Sequence, residues 1–228
     1  MMYFSKLQLK RNDLDAQRLA AEVCQNSYRP HQLLWKVLAT PSQAQRNFLY
    51  RQEDSNQWPV FYVVSEQSPR HDDTLWDVHS KPYAPKLQQG QMLAFSLRAN
   101  PVIARKDDHG NTRRHDIVMD LKKRIGYQQM ADKDQPPLTE LSQQAGIEWL
   151  ARRSEARGFQ FDPKAVRVDG YQQHRNFKRR AKHSIKYSTL DFTGILTIQD
   201  PLEFERSLFN GIGPAKGFGC GLLLVRRI

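Results

Sequence analysis

The chain of 228 residues is 39% apolar and 26% charged, enough to bury one sizeable core or two cores of about 100 residues each. Its 35 Lys and Arg against 24 Asp and Glu leave a formal net charge of +11, which favours a polyanionic partner, with nucleic acid the first candidate. No apolar run approaches the roughly 18 to 20 residues that span a bilayer, residues 1–11 alternate instead of forming a signal-peptide core, and Cys24 and Cys220 are too few for a disulfide framework or a cysteine-only zinc site. A cytoplasmic protein without membrane contact is expected.

The alternation over residues 3–10 predicts a half-buried strand, with Tyr3, Ser5, Leu7 and Leu9 on one face. Residues 28–39 change to helical spacing, Leu34, Trp35 and Leu38 facing inward, Asn26 or Ser27 a candidate N-cap and Pro30 tolerated in the first turn. Residues 46–52, 59–66 and 92–97 read as strands, and 68–89, with three prolines, as irregular or a short helix. Asn100-Pro101 is a plausible boundary. Beyond it, 102–105 and 117–119 look extended, 138–156 helical with Ala145, Trp149 and Leu150 inward, 159–167 and 185–199 extended, 201–208 helical and 221–225 a last strand. The simplest summary is an α+β protein of two tandem βαββαβ units, divided into 1–98 and 101–228.

The positive charge is uneven. Residues 1–100 hold 12 basic and 9 acidic side chains, residues 101–228 hold 23 and 15, so the second unit should carry most of a polyanion surface. The densest tract runs from His174 to Lys186, where Arg175, Lys178, Arg179, Arg180, Lys182 and Lys186 occur without an acid. Such a run is often only a solvated face, but its place between two strands suits a hairpin that projects cations along phosphates. Between the last helix and the last strand, Gly211, Gly213, Gly217, Gly219 and Gly221 surround Lys216, a composition that permits close backbone approach by a phosphate; no Gly-Lys-Ser/Thr follows, so it is not a Walker loop.

Four of the seven histidines (His71, His79, His109 and His115) fall in polar, loop-like sequence, and His174 and His183 flank the basic tract. None makes a metal-binding spacing, and no metal or other cofactor is expected. His31 differs, because Tyr28 lies three residues before it and helical spacing puts both on one face near a helix start. Spacing alone leaves a merely structural pair as the more favoured alternative.

Five segments in order carry a resemblance. They are Met2-Tyr3-Phe4-Ser5-Lys6, Tyr28-Arg29-Pro30-His31-Gln32-Leu33-Leu34-Trp35, Phe95-Ser96-Leu97-Arg98-Ala99-Asn100-Pro101, Gly146-Ile147-Glu148-Trp149-Leu150 and the glycine-rich loop that ends in Leu222-Leu223. Together they resemble the CRISPR repeat-processing endoribonucleases of type I-E systems, the CasE subfamily. The resemblance implies two tandem ferredoxin-like (RRM-like) domains, cleavage of CRISPR precursor RNA at the base of each repeat hairpin, and retention of the mature crRNA with other Cascade subunits. By position it makes His31 the catalytic histidine, Tyr28 its partner, the loop at Gly211, Gly213, Lys216, Gly217 and Gly219 an RNA neighbour, and the basic tract a hairpin entering the RNA major groove. Residues 117–137 are longer than in compact members and have no assigned role.

The residue types suit metal-independent attack of a ribose 2′-OH on its adjacent phosphorus, leaving a 2′,3′-cyclic phosphate and a 5′-OH. An imidazole with a reference pKa near 6.5 accepts or donates a proton near neutrality, and the sequence leaves both roles open for His31. The rival readings are a non-catalytic subunit that only binds the RNA hairpin and, behind it, a basic DNA-binding protein, for which no helix-turn-helix or zinc signature is present.

Overall fold

The computed structural model describes residues 1–25, 28–38, 47–55, 58–70, 75–107, 109–178 and 183–228, with the side chains of 25, 54, 55, 176–178, 183 and 184 outside the description. The N-cap expected at Asn26 or Ser27 therefore lies outside the described residues.

The first sheet is built from β1 (Tyr3–Leu9), β2 (Phe48–Ser55), β3 (Trp58–Ser65) and β4 (Trp76–Pro82), in the order β2-β3-β1-β4 and antiparallel throughout. The alternation of β1 buries Ser5, Leu7 and Leu9, as the sequence predicts. Two helices, α1 (Leu14–Gln25) and α2 (Arg29–Leu38), connect β1 to β2. Only the second was expected. The signal for α1 was there: the Asp13 carboxylate accepts the Ala16 N–H at 2.9 Å, as an N-cap does, and Ala16, Ala20 and Val23 recur at helical spacing to join a core with Leu7, Leu34 and Phe61. The second omission is β4, expected to be irregular. It is an edge strand with mostly partly or fully exposed side chains, set by its pairing with β1 rather than by its own hydrophobicity.

The second sheet takes β5 (Met92–Ala99), β8 (Phe159–Gln160), β9 (Val166–Lys178), β10 (His183–Ile198) and β11 (Leu223–Arg227). Its order is β11-β5-β10, with β8 and β9 both on the far side of β10. Strand β5, placed in the first unit by the boundary expected at 98/101, pairs with β10 and β11 and belongs to this sheet. The chain passes between the sheets after Pro82, not at Asn100-Pro101.

The rest of the second half is a small hairpin, β6 (Val102–Lys106) with β7 (Thr112–Asp116), and helices α3 (Ile117–Arg124), α4 (Leu138–Ser154) and α5 (Pro201–Asn210). Residues 117–119, expected to be extended, begin α3. The Asp116 carboxylate caps that helix by accepting the Met119 N–H at 2.8 Å, and Ile117, Val118 and Leu121 bury its inner face. In α4, Ala145, Trp149 and Leu150 are buried as expected. The strand expected over 159–167 is interrupted, because Asp162 caps a one-turn 3-10 helix at Pro163–Ala165 before β9 starts.

Each sheet thus shows the four-strand order of a ferredoxin-like βαββαβ unit, although among the described residues the first has no helix between β3 and β4. Leu49, Val64 and Leu222, with Phe4, Tyr62, Tyr83, Phe209 and Leu224 against them, join the two sheets. No helix among the described residues is long and apolar enough to cross a membrane.

Candidate RNA-processing site

Tyr28, the residue before helix α2, and His31 in its first turn lie on one side of the helix start. Their rings stack with centroids 5.4 Å apart and planes inclined by 24°, the outcome of the i, i+3 spacing. Both side chains are half-buried. Behind them, Trp35 at 5.7 Å and Phe48 at 5.9 Å from the imidazole centroid form an apolar backing drawn from α2 and β2.

The glycine-rich loop closes against this helix. Its ends are tied by Ile212 N–H donating to Gly221 O at 2.9 Å and Gly221 N–H donating to Arg98 O at 2.7 Å. In the middle, a 3-10 turn at Lys216–Phe218 brings the Phe218 ring to 5.6 Å from Tyr28. The turn is anchored from the first sheet by the Tyr50 hydroxyl, which donates to Gly217 O at 3.0 Å. Gly219 follows with φ +78°, and a Cβ there would stand 3.2 Å from Tyr50 Cε2, so a left-handed backbone and a tight ring contact both call for glycine. Gly211 and Gly219 are buried, while Gly213, Lys216 and Gly217 are half-buried. At Gly219, at least, close packing of the loop accounts for the glycine.

Strands β9 and β10 form the long hairpin expected of the basic tract. Its register sets His174 opposite Tyr187 and Arg175 opposite Lys186. Between Thr189 and Asp191 the register shifts, with Gly170 at φ +64° on the bulged strand, an arrangement that bends and twists a ribbon. Arg175 and Lys186 are exposed. Lys178 pairs through its backbone with His183, its side chain being undescribed, and Arg179, Arg180 and Lys182 lie outside the described residues.

The three parts meet through aromatic contacts that the sequence reading missed. Tyr187 lies 4.6 Å from Phe218 and stacks on His174 at 4.6 Å with planes 14° apart. A path of rings therefore runs from His31 through Tyr28, Phe218 and Tyr187 to His174. The available signals were Phe218 inside a loop read only for its glycines, and an aromatic opposite a histidine on a predicted hairpin.

Beside this path lies an open cleft of about 730 Å³ between the two sheets, lined among others by Pro30, Tyr50, Arg98, His174, Arg175 and Phe218. Its floor is held by charge. Arg98 donates to both Asp191 carboxylate oxygens at 2.8 and 2.9 Å and to Gln52 O at 3.2 Å, while the buried Arg51 donates to Ser96 Oγ at 2.7 Å. Burial, then the Arg98 charge, lowers the His174 pKa below 6.5, and its Nε2 shares a hydrogen bond with Thr189 Oγ1 at 3.0 Å. Burial pushes the Cys220 thiol up to about 12, which makes it a poor nucleophile. The arrangement offers an imidazole and a phenol on a ring path that borders a cleft lined by Arg98 and Arg175 together with Glu53 and Asp191, residue types suited to proton transfer beside a bound phosphate.

The chain matches the family described as CRISPR associated protein over residues 2–227. It is 31% identical to the Cascade subunit CasE of Escherichia coli K12 over 200 residues, covering 86% of this chain and 89% of the relative. It is 28% identical over 239 residues to the CRISPR-associated endoribonuclease Cse3 of Thermus thermophilus, covering 98% and 99%. A structure of Thermus thermophilus Cse3 bound to an RNA representing a pre-cleavage complex superposes with a TM-score of 0.69 at 26% identity, over 99% of this chain and 98% of that one. Two ferredoxin-like sheets and similarity along nearly the whole length agree: this chain belongs to the CRISPR-associated protein family that includes CasE and Cse3.

Proposed function

We propose that this protein is a metal-independent endoribonuclease that cleaves CRISPR precursor RNA at the base of the repeat hairpin and stays bound to the mature crRNA within Cascade, in the cytoplasm. The observation that carries this reading is the ring path that gathers Tyr28, His31, the glycine-rich loop and the basic hairpin around one cleft. Similarity to an endoribonuclease caught with RNA before cleavage supports it.

The reaction needs the ribose 2′-oxygen to attack the adjacent phosphorus in line. The 2′-oxygen loses its proton, the P–O5′ bond breaks, and the departing 5′-oxygen gains a proton. The products are a 2′,3′-cyclic phosphate and a 5′-OH. His31 exchanges a proton with one of these two oxygens, which is typically worth about 10²- to 10⁴-fold in rate. Tyr28, stacked on it, orients the ribose or phosphate. Arg175, Lys178, Arg179, Arg180, Lys182 and Lys186 offset phosphate charge along the RNA, and Lys216 with Gly211, Gly213, Gly217 and Gly219 lies against the strand near the cut.

The test is incubation of the purified protein with its repeat RNA in EDTA, followed by end-group analysis and repetition with His31→Ala. One cut leaving a cyclic phosphate, lost by about 10²-fold or more in His31→Ala with binding nearly intact, is expected. Tight binding without any cut would replace the enzyme with a non-catalytic RNA-hairpin-binding subunit. Loss of binding in His31→Ala would give His31 a structural role.

A further inference from the structure

Among the described residues, two pairs of basic side chains face each other across strands in the second half of the chain, and they are treated differently. On the β6–β7 hairpin, Arg105 lies opposite Arg113. Both are neutralised from within: Arg105 grips the Asp120 carboxylate at 2.8 and 2.7 Å, and Arg113 reaches Asp107 at 2.9 Å. On the β9–β10 hairpin, Arg175 lies opposite Lys186, and among the described residues no carboxylate pairs with either. Like charges directly opposite one another destabilise a strand pair. An external anion would relieve that repulsion.

A third cation without a carboxylate partner among the described residues, Arg114 of β7, faces them. Arg114, Arg175 and Lys186 line one hollow of about 720 Å³ together with Asn100, Ser188 and Pro214. The carboxylate in its wall, Asp116, is already engaged, accepting the Met119 N–H at 2.8 Å and the Tyr171 hydroxyl at 3.2 Å. The hollow shares His174, Arg175 and Tyr187 with the cleft near His31, so the two adjoin at the base of the β9–β10 hairpin. Arginine forks and a lysine point charge around one hollow suit phosphate oxygens.

We infer that Arg114, Arg175 and Lys186 form a phosphate site for the RNA backbone, and that the β6–β7 hairpin is a second arm on the RNA. This rests on the reading that the protein binds repeat RNA. It gives residues 102–116 a task separate from the His31 chemistry, holding the strand that passes the hairpin base.

The test measures affinity against salt concentration for repeat RNA with flanking single-stranded nucleotides, kept uncut by a deoxyribose at the scissile nucleotide. Wild type, Arg114→Ala, Arg114→Lys and Arg113→Ala are compared. One lost phosphate contact should flatten the slope of log K against log salt by roughly 0.7 to 0.9 in Arg114→Ala, so that its deficit shrinks by about 2.6- to 3.5-fold between 50 and 200 mM salt. Arg114→Lys should restore most of the slope. Arg113→Ala, whose charge is tied to Asp107, should keep the wild-type slope. A wild-type slope in Arg114→Ala would overturn the site while leaving RNA binding intact, and equal flattening in Arg113→Ala and Arg114→Ala would replace it with a diffuse positive field. Failure of wild type to bind the RNA at all would sink the reading underneath, and the site with it.

Discussion

Replacing Gly219 by alanine separates two costs that are usually confounded. Gly219 and Gly90 have the same backbone angle, φ +78°, but a Cβ at Gly90 meets nothing within 4 Å, whereas at Gly219 it stands 3.2 Å from Tyr50 Cε2. Holding alanine in the left-handed region costs about 1–2 kcal/mol at either position. Only Gly219 adds the ring contact. Tyr50 is 1% exposed and is tethered through its hydroxyl to Gly217 O, so it yields only by disturbing core packing and a hydrogen bond worth about 0.5–1.5 kcal/mol. Gly219→Ala should therefore lose about 1–2 kcal/mol more than Gly90→Ala, or about 2–8 °C in melting temperature for a chain of this size. Denaturant unfolding and thermal melts of the two variants measure the difference. Single-turnover cleavage measures its consequence, because Phe218 precedes Gly219 and packs on Tyr28: Gly219→Ala should slow cutting and Gly90→Ala should not. Equal stability losses would refute the Tyr50 contact as the reason for glycine. Slowing absent from an otherwise destabilised Gly219→Ala would detach the loop from the reaction.

Neutralising Arg179 and Arg180 together should weaken repeat binding and reduce the salt slope by roughly 1.8, the share of two phosphates; unchanged affinity at every salt concentration would remove these two arginines from the RNA contact. The depressed pKa of His174 gives a pH signature. Between its folded value and the 6.5 of the unfolded chain, the unfolded state binds the extra proton, so this contribution to stability is full above pH 6.5 and is lost as pH falls through that interval. His174→Gln should shrink the difference in denaturation midpoint between pH 7.5 and pH 5.5, and an unaltered difference would contradict the burial of the imidazole. With the Cys220 thiol pushed up to about 12 and Cys24 exposed, a thiol reagent should modify one cysteine in the native protein and the second only after unfolding; two rapid reactions would show that the loop opens.

The sequence made legible what depends on local chemistry. Alternation set the faces of β1, and helical spacing stacked Tyr28 on His31. It failed where tertiary pairing decides. The residues of β4 form an edge strand through β1, and β5 looked like the close of the first unit because nothing local announces partners about 100 residues further on, at Leu190 to Thr197. The errors at α1 and at residues 117–119 were of another kind. Asp13 and Asp116 are the aspartate caps that mark helix starts, but the buried stripe of α1 is mostly alanine, a faint apolar face, and a β-branched Ile117-Val118 start outweighed the cap in the other. In the candidate site the pairing of Tyr28 with His31 and the hairpin carrying Arg175 and Lys186 were legible, whereas Phe218, Tyr187 and Arg98 were not, because their role is to hold other elements in place.

Arg98 shows why those holding residues matter. Its carbonyl fixes the last glycine of the loop, its guanidinium fixes Asp191 on β10, and the same guanidinium reaches across to Gln52 in the first sheet. Strand β2, in turn, carries Tyr50, which holds the loop from the other side. The helix start with His31 and the hairpin base with His174 are thus fixed to two different sheets but share a charged floor and an aromatic path. In-line attack on a phosphodiester tolerates only small errors in the placement of the nucleotide, and a site divided between two sheets meets that demand only if the sheets are locked together. The Arg98 bond to Gln52 O and the buried Arg51–Ser96 contact form that lock, with Asp191 holding the Arg98 guanidinium in position, placing structural rigidity where the proposed chemistry requires it.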